Sequence, residues 1–441
     1  MLVVYGQRNA GRTALIREFG KDKELLFLYA RSCSGREQRY LWARECETYR
    51  ISMEKYPSYF DLLWQISKSL SKKLVLVIDE FENAVKNDAF FMKELAEFLK
   101  DQGTVQDLLI LLCSSSVGFV ENAMVSRIGE AALSISGFLK VKELKFEALR
   151  EYFPAYSLKQ CLETYAVLGG LPGLWKHFDP ELSPEENVIT RLLDGEGFFF
   201  NEIFHYVSDE LRETGVYHTI LASLASGRQK LNDLHLHTEF GRAKISVYLK
   251  NLMELELVEK IFSYDTDGKA NAQKGIYRIG NPLIHFYFRC IYTSLSIFKN
   301  LPPQEFYERF VKPEYSSFVE PAMRGMCLER LQAQNESGEL PFHFTRFGEW
   351  VGKIGTIDIV AQDEAGHTLV AMCNYEKPLL TMDDYEWLLF LAKKARLEPQ
   401  MIILYTSGEF DQDIQRLELG DEKVCLVTLG KNSDNSEGNP V

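Results

Sequence analysis

Short apolar runs alternate with helically spaced segments over the first third of the chain. Residues 2–6, 73–81 and 107–116 are near-continuous apolar runs, whereas residues 12–19 carry apolar side chains at helical spacing. Strands without polar alternation, each followed by a helix, are typical of a parallel sheet covered on both faces. The pattern therefore predicts an α/β domain over residues 1–150.

The pattern changes several times after residue 150. Residues 151–212 are helical apart from the sequence GGLPG, which predicts a helical lid. Residues 213–280 predict three helices and then two strands, the order of a winged helix. Residues 281–317 form an aromatic-rich helical connector, and residues 318–430 return to mixed strands and helices. Residues 431–441 form a polar tail.

Composition narrows the class of protein. Hydrophobic residues make up 46% of the 441 positions, so the chain can bury real cores and disorder is not expected. The net charge of −13 argues against a surface devoted to nucleic acid, although a local basic patch remains compatible with it. Eight singly spaced cysteines, without zinc spacing, indicate reduced thiols of a cytoplasmic protein. No apolar run approaches the roughly 18 residues of a membrane span, and no signal peptide is evident.

A glycine-rich loop joins the first predicted strand to the first predicted helix. Its sequence, GQRNAGRT, fits the phosphate-binding pattern G-x-x-x-x-G-K-S/T, except that Arg12 replaces the lysine. Backbone N–H groups of such a loop wrap phosphates, and the helix N-terminus adds partial positive charge. Arginine can still meet phosphate, but its planar fork is not a compact ammonium. The predicted binding residues for ATP or ADP are Gly6, Gln7, Arg8, Asn9, Ala10, Gly11, Arg12 and Thr13.

An acidic pair ends the apolar run of residues 73–81. Asp79 is predicted to bind Mg²⁺ together with Thr13, and Glu80 is predicted to polarise the attacking water. A plain strand–turn–helix with an acidic strand end is the alternative. Residues 114–116 are three serines at the end of the next strand, where one could sense the γ-phosphate or simply meet solvent.

With these motifs in hand, the chain resembles archaeal-type ATPases of the STAND/AAA+ group fused to a C-terminal restriction-endonuclease-like domain. The resemblance covers nearly the whole chain. It rests on VVYGQRNAGRTALIREF, LVLVIDEFEN, LILLCSSS, YAVLGGLPG, RAKISVYLKNLMELELVEK and FGEWVGKIGTIDIVAQD. The implied fold is a P-loop parallel-sheet ATPase with a helical lid, a winged helix and an α/β nuclease-like domain.

The chain departs from that family in its ATPase motifs. The usual G-R-E segment before the first strand is not seen, the P-loop lysine is Arg12, and Ser134 stands where the family has an arginine. These departures put hydrolysis in question more than the fold.

The C-terminal domain departs as well. The resemblance implies that Asp358 is the first Mg²⁺ ligand of a nuclease, and such sites need further carboxylates and a lysine. Met372 and Asn374 occupy the positions of the glutamate and lysine on the next strand. Arg324 matches the acidic position of the preceding helix, with Glu320 one turn earlier. An inactive nuclease fold is therefore predicted.

A displaced acid–lysine pair is the alternative for this domain. Glu376 and Lys377 follow the strand closely, and they could take part only if the strand continued through Tyr375. Pro378 argues against that continuation.

Cations mark the predicted recognition helix of the winged helix. Arg242, Lys244 and Lys250 lie on it, and Lys269 and Lys274 lie in the predicted wing. This mixture suits DNA, whereas packing or protein contact is the alternative. Three functions remain open: a nucleotide-dependent switch that controls nucleic-acid binding or contact with a protein partner or second copy, an ATP-controlled Mg²⁺-dependent nuclease, and a non-hydrolysing scaffold.

Overall fold

A computed structural model gives the architecture of two units. The first unit comprises Met1–Glu143 with Leu171–Gly173, and the second comprises Leu144–Gly170 with Leu174–Val441. The structure describes residues 1–69, 73–101, 108–208, 213–266 and 275–430. Lys269, Lys274 and the polar tail lie outside these ranges.

The first unit alternates strands and helices. Its elements are β1 (Leu2–Tyr5), α1 (Arg12–Phe19), β2 (Glu24–Tyr29), α2 (Gly35–Thr48), α3 (Tyr59–Ser69), β3 (Leu74–Asp79), α4 (Phe81–Asn87), α5 (Ala89–Asp101), β4 (Leu108–Ser114), α6 (Met124–Ile128) and β5 (Gly137–Lys140). A π turn, Phe119–Ala123, and a 3₁₀ turn, Gly129–Ser134, flank α6.

One parallel sheet organises this unit. Its strand order is β2-β3-β4-β1-β5, and every neighbouring pair is parallel. The apolar runs form buried strands: all of β3 except its last residue, Asp79, is buried. Parallel strands end at the same edge of a sheet, so the ends of β1, β3 and β4 lie on one side. The predicted α/β fold with a parallel sheet is confirmed.

The second unit begins with helices. They are α7 (Phe146–Tyr152), α8 (Leu158–Leu168), α9 (Pro172–Trp175, which starts within the first unit), α10 (Pro184–Asn187), α11 (Phe198–Ser208), α12 (Thr214–Ala225), α13 (Leu231–Thr238) and α14 (Arg242–Glu254). An antiparallel hairpin of β6 (Val258–Phe262) and β7 (Gly275–Ile279) follows α14. The described residues of segment 213–280 thus form three helices and two strands in the predicted order.

Further helices lead to a second sheet. The remaining elements are α15 (Pro282–Phe286), α16 (Leu295–Phe298), α17 (Pro303–Phe306), α18 (Tyr315–Ser337), β8 (Arg346–Val351), β9 (Thr356–Gln362), β10 (Thr368–Asn374), β11 (Leu379–Leu380), α19 (Met382–Ala395), β12 (Met401–Thr406), β13 (Glu409–Phe410), α20 (Gln412–Gly420) and β14 (Val424–Thr428). Short 3₁₀ or π turns lie at Val188–Leu192, Tyr264–Thr266, Tyr287–Ile291, Tyr292–Ser294, Tyr307–Val311 and Lys312–Glu314.

The second sheet is mixed. Its order is β14-β12-β10-β9-β8, in which β8, β9 and β10 are antiparallel neighbours. Strands β10, β12 and β14 are parallel neighbours joined through α19 and α20. Apolar side chains of β9, β10 and β12 pack with α19, among them Val360, Val370, Leu388 and Leu404. Of the helices that the structure describes, none combines the length and apolar character that a bilayer crossing needs.

Candidate functional site

The loop between β1 and α1 has a backbone that only particular residues can adopt. A β-carbon on Gly6 would lie 2.2 Å from the carbonyl oxygen of Val141, so no larger residue fits there. Asn9 and Gly11 have φ angles of 65° and 102°, which favour asparagine and glycine. Gly11 is also the N-cap of α1 and offers no side-chain acceptor to the first turn. The first N–H groups of α1 are therefore donors suited to an anion.

A second glycine supports this loop from the GGLPG segment. The backbone N–H of Gly173 donates to the carbonyl oxygen of Asn9 at 2.8 Å. A β-carbon on Gly173 would lie 2.7 Å from Asn9 Oδ1. The close approach explains why a glycine more than 160 positions away belongs to the same site, a role that sequence spacing did not reveal.

The carboxyl end of β3 carries the predicted acidic pair. Asp79 ends the strand, and Glu80 has a φ of 52° as it turns the chain into α4. The backbone N–H of Glu80 donates to Asp79 Oδ1 at 3.1 Å. Burial, with added repulsion from Glu80, raises the pKa of Asp79. A divalent cation would remove that penalty, so Asp79 is suited to holding Mg²⁺.

Arg12 and Glu80 form an ion pair in the first unit. Arg12 Nη2 donates to Glu80 Oε1 at 2.9 Å, and each side chain is only 11% exposed. The other carboxylate oxygen, Oε2, accepts from the backbone N–H of Ser115 at 3.0 Å and from its hydroxyl at 2.6 Å. Ser115 thus contacts the predicted catalytic carboxylate. For the three serines the sequence predicts either a γ-phosphate sensor or a solvated junction.

Glu82 completes the surroundings of Glu80. Burial and the charge of Glu80 raise the pKa of Glu82, so its neutral carboxyl donates a hydrogen bond to Glu80. Burial alone would raise the pKa of Glu80 as well. The hydrogen bonds from Glu82 and Ser115 and the charge of Arg12 instead lower it to about 2. Glu80 is consequently a fully hydrogen-bonded anion and, in this position, a weak base.

The other predicted loop residues differ in how far they are buried. Ala10 is buried, Gln7 and Arg8 are half-buried, and Thr13 is exposed in the first turn of α1. Loop residues and strand ends thus meet at the same edge of the sheet. The charge pairing of Arg12 with Glu80, however, was not expected from the motif.

In the second unit, the predicted nuclease carboxylate is already occupied. Arg324 Nε lies 3.0 Å from Asp358 Oδ1 in an ion pair, and the backbone N–H of Cys373 donates to Oδ2 at 2.9 Å. Burial raises the pKa of Asp358, and the Arg324 charge opposes that rise. The side chains of Arg324 and Asp358 are 19% and 14% exposed. An arginine therefore pairs with the carboxylate that was predicted to hold Mg²⁺.

A second arginine extends this cluster. Arg278 donates through both terminal nitrogens to Glu349, at 2.6 and 2.5 Å, and Arg324 Nη1 donates to the same carboxylate at 3.3 Å. The four side chains join β7, β8, β9 and α18 through charge-assisted hydrogen bonds and ion pairs. No group of three or more His, Cys, Asp or Glu side chains suited to a metal ion occurs in the described ranges.

The displaced acid–lysine pair lies beyond its strand. Strand β10 ends at Asn374, whose side chain accepts from Lys377 N at 2.9 Å and donates to Lys377 O at 2.8 Å. Glu376 and Lys377 are therefore held in a turn, and the Lys377 ammonium donates to Asp384. The continuous strand that the alternative required is not formed.

The three predicted nucleic-acid residues are exposed on α14. Arg242 Nη2 donates to Asn232 Oδ1 at 2.6 Å, and Lys244 lies 5.0 Å from the Phe240 ring centroid. Lys250 lies 3.7 Å from Glu254, one turn along the same helix. The helix thus presents cations to solvent, with one of them partly neutralised.

Two parts of the chain match models of known protein families. Residues 1–177 match the model of a family described as an ATPase domain predominantly from Archaea. Residues 287–386 match the model of a family described as archaeal and bacterial proteins of unknown function. The first match shows that the N-terminal part of the chain is similar to ATPase domains of this family.

Three individual proteins that resemble this chain are 27% identical to it or less. An uncharacterised protein of Methanocaldococcus jannaschii is 27% identical over 384 residues, which cover 82% of this chain and 80% of that protein. A Walker-type ATPase of Pyrococcus abyssi is 16% identical with a TM-score of 0.49, covering 65% of this chain and 90% of that one. The ORC2 protein of Aeropyrum pernix, in ADPNP and ADP complexes, is 15% identical with a TM-score of 0.42, covering 73% and 88%.

Proposed function

We propose that the first unit binds ATP or ADP with Mg²⁺ at the β1–α1 loop. The observation that carries the proposal is the loop itself: Gly6 leaves no room for a side chain, Gly11 has a φ of 102°, and the start of α1 lacks a side-chain cap. Arg12 adds a cation, because its Nη1 is buried without a hydrogen-bond partner among the described residues. Thr13 and Asp79 would hold the Mg²⁺, which would neutralise phosphate charge.

Hydrolysis at this site is expected to be slow or absent. Glu80 accepts four hydrogen bonds, and these would have to break before its carboxylate could polarise a water molecule. Arg12 also lacks the compact ammonium that a lysine brings to the β- and γ-phosphates. These two features favour a nucleotide-dependent switch or a non-hydrolysing scaffold over an ATP-driven enzyme.

Isothermal calorimetry with ADP and Mg²⁺ tests the binding proposal. We expect saturable binding by the full chain, and Asp79→Ala should weaken it at least about tenfold, since one buried charge-assisted contact is lost. Asp22→Ala removes an exposed carboxylate of the same unit and should leave the affinity unchanged. No binding up to millimolar ADP would contradict the proposal.

For the second unit we propose a winged helix formed by α12, α13, α14 and the β6–β7 hairpin. Its output would be regulated binding of nucleic acid, supported by the exposed cations Arg242, Lys244 and Lys250. The contact between Lys250 and Glu254 supports the alternative, in which this surface meets a protein partner or a second copy of the chain. A cytoplasmic location fits either output.

We further propose that residues 318–430 have a restriction-endonuclease-like fold without nuclease activity. The supporting order is a helix, three antiparallel strands, a helix and a parallel strand, from α18 to β12. The inactivity follows from chemistry: Asp358 is paired with Arg324, Met372 offers a thioether to a hard cation, and Asn374 carries no positive charge. The ATP-controlled nuclease therefore has the weakest support of the three functions.

Duplex DNA tests the proposals for the second unit in one experiment. We expect binding that weakens steeply with salt, because each neutralised phosphate releases counterions. Arg242→Glu with Lys244→Glu should abolish binding, whereas reversing the exposed pair Arg416 and Lys423 should not. The DNA should remain intact with Mg²⁺ or Mn²⁺ and ATP. Unchanged binding in the first double variant would contradict the DNA interface, and cleavage lost in Asp358→Ala would contradict the inactive nuclease.

A further inference from the structure

We propose that Ser115 is a positioning residue that, with Arg12, holds Glu80 in a closed position which nucleotide phosphate must open. The inference rests on the proposed nucleotide binding and adds a regulatory contact to it. We call the three side chains Arg12, Glu80 and Ser115 the carboxylate latch.

The contacts of the latch, together with the hydrogen bond from Glu82, fill the acceptor sites of Glu80. Oε1 accepts from Arg12 at 2.9 Å, and Oε2 accepts from the Ser115 hydroxyl at 2.6 Å and its N–H at 3.0 Å. Glu80 itself is only 8% exposed, so water cannot readily replace these donors. In this position the carboxylate has no free lone pair of the kind needed to orient an attacking water.

The same contacts withhold Arg12 from a ligand. The guanidinium belongs to the first residue of α1, directly after the loop that offers its N–H groups to an anion. Its Nη2 is bonded to Glu80, while Nη1 is buried and has no hydrogen-bond partner in the described part of the chain. Nη1 can still donate to a ligand, but the guanidinium carries only one positive charge, so a phosphate at the loop competes with Glu80 for that charge.

The competition gives the latch its two states. In the closed state Glu80 accepts from both Arg12 and Ser115. In the open state Arg12 neutralises phosphate, and Glu80 has turned away from both partners. Phosphate binding must separate Arg12 from Glu80, and this separation costs free energy. The more stable the closed state is, the lower the nucleotide affinity becomes. Ser115 stabilises only the closed state, because its hydroxyl can donate to Glu80 only while the carboxylate is in the closed position.

Ser115→Ala is the decisive variant, since it changes no charge. ADP affinity, measured by calorimetry at fixed Mg²⁺, should rise about three- to tenfold, the range set by losing one hydrogen bond to a charged group. Ser115→Thr keeps the hydroxyl and should return the affinity to that of the unaltered protein. A residue with a merely structural role would weaken ADP binding or leave it unchanged when truncated.

Glu80→Gln provides a second, independent arm. It should raise ADP affinity about tenfold by releasing Arg12, and the gain should vanish in an Arg12→Gln background. Simple removal of charge repulsion would instead give the same gain in both backgrounds, and that result would overturn the latch. Equal ADP affinity of the unaltered protein and Ser115→Ala would also overturn it. Absence of ADP binding in every variant would overturn the proposed nucleotide site itself, so the two failures are distinguishable.

Discussion

Replacing Arg324 by alanine should destabilise the second unit by about 3–5 kcal/mol, the usual cost of leaving a buried charge without its partner. Asp358 would lose its ion pair, and Glu349 would keep only Arg278. The side chains involved are at least four-fifths buried, so solvent screening would recover little of the loss. Hydrogen exchange of peptides from β9 and β10 would report the effect without interference from the first unit.

Arg330→Ala is the matched control, because it removes an exposed arginine from the same helix, α18. It should change the free energy of opening of these strands, as measured by hydrogen exchange, by less than about 0.5 kcal/mol. The stability that the second unit loses in Arg324→Ala should become smaller as the pH falls. Without the arginine, burial raises the pKa of Asp358 above that of the unfolded chain, so protonation favours the folded state. Equal exchange in the two variants would show that the arginine is not needed to neutralise Asp358.

Arg12→Lys should raise ATP turnover on the order of 100-fold, since it restores one electrostatic contact to the transferring phosphate. The reason is geometric as well as electrostatic: a single ammonium can reach the β- and γ-phosphates as a compact charge. Phosphate release under saturating ATP and Mg²⁺ is the measurement. Arg17→Lys, an exposed substitution on the same helix, should leave turnover unchanged.

Two results would contradict this account of Arg12. Brisk turnover by the unaltered protein would show that arginine is no obstacle. Unchanged turnover in Arg12→Lys, with ADP affinity retained, would place the defect elsewhere, either at the Ser134 position or in the hold that Ser115 exerts on Glu80.

Local patterns were enough to predict most elements. The apolar runs became β1, β3 and β4, and the helically spaced segment 12–19 is α1 without change of bounds. The loop could be recognised because its glycines satisfy requirements of a few consecutive residues. Departures in chemistry, such as Arg12 or Asn374, are likewise visible in the sequence because they concern the identity of one side chain.

The sequence by itself therefore determined the α/β class, the glycine-rich loop, the acidic strand end and the uncharged side chains Met372 and Asn374 on β10. Only the tertiary structure decided which charges meet. Arg12 and Glu80 are 68 positions apart, and Arg278 and Glu349 are 71 apart, so no local spacing relates them. Their contacts depend on strand order, with β4 inserted between β1 and β3, and on the packing of a hairpin against a second sheet. A buried charge is tolerated only when it has a partner of opposite charge. Tertiary packing, and not distance along the sequence, decides which charges are close enough to pair.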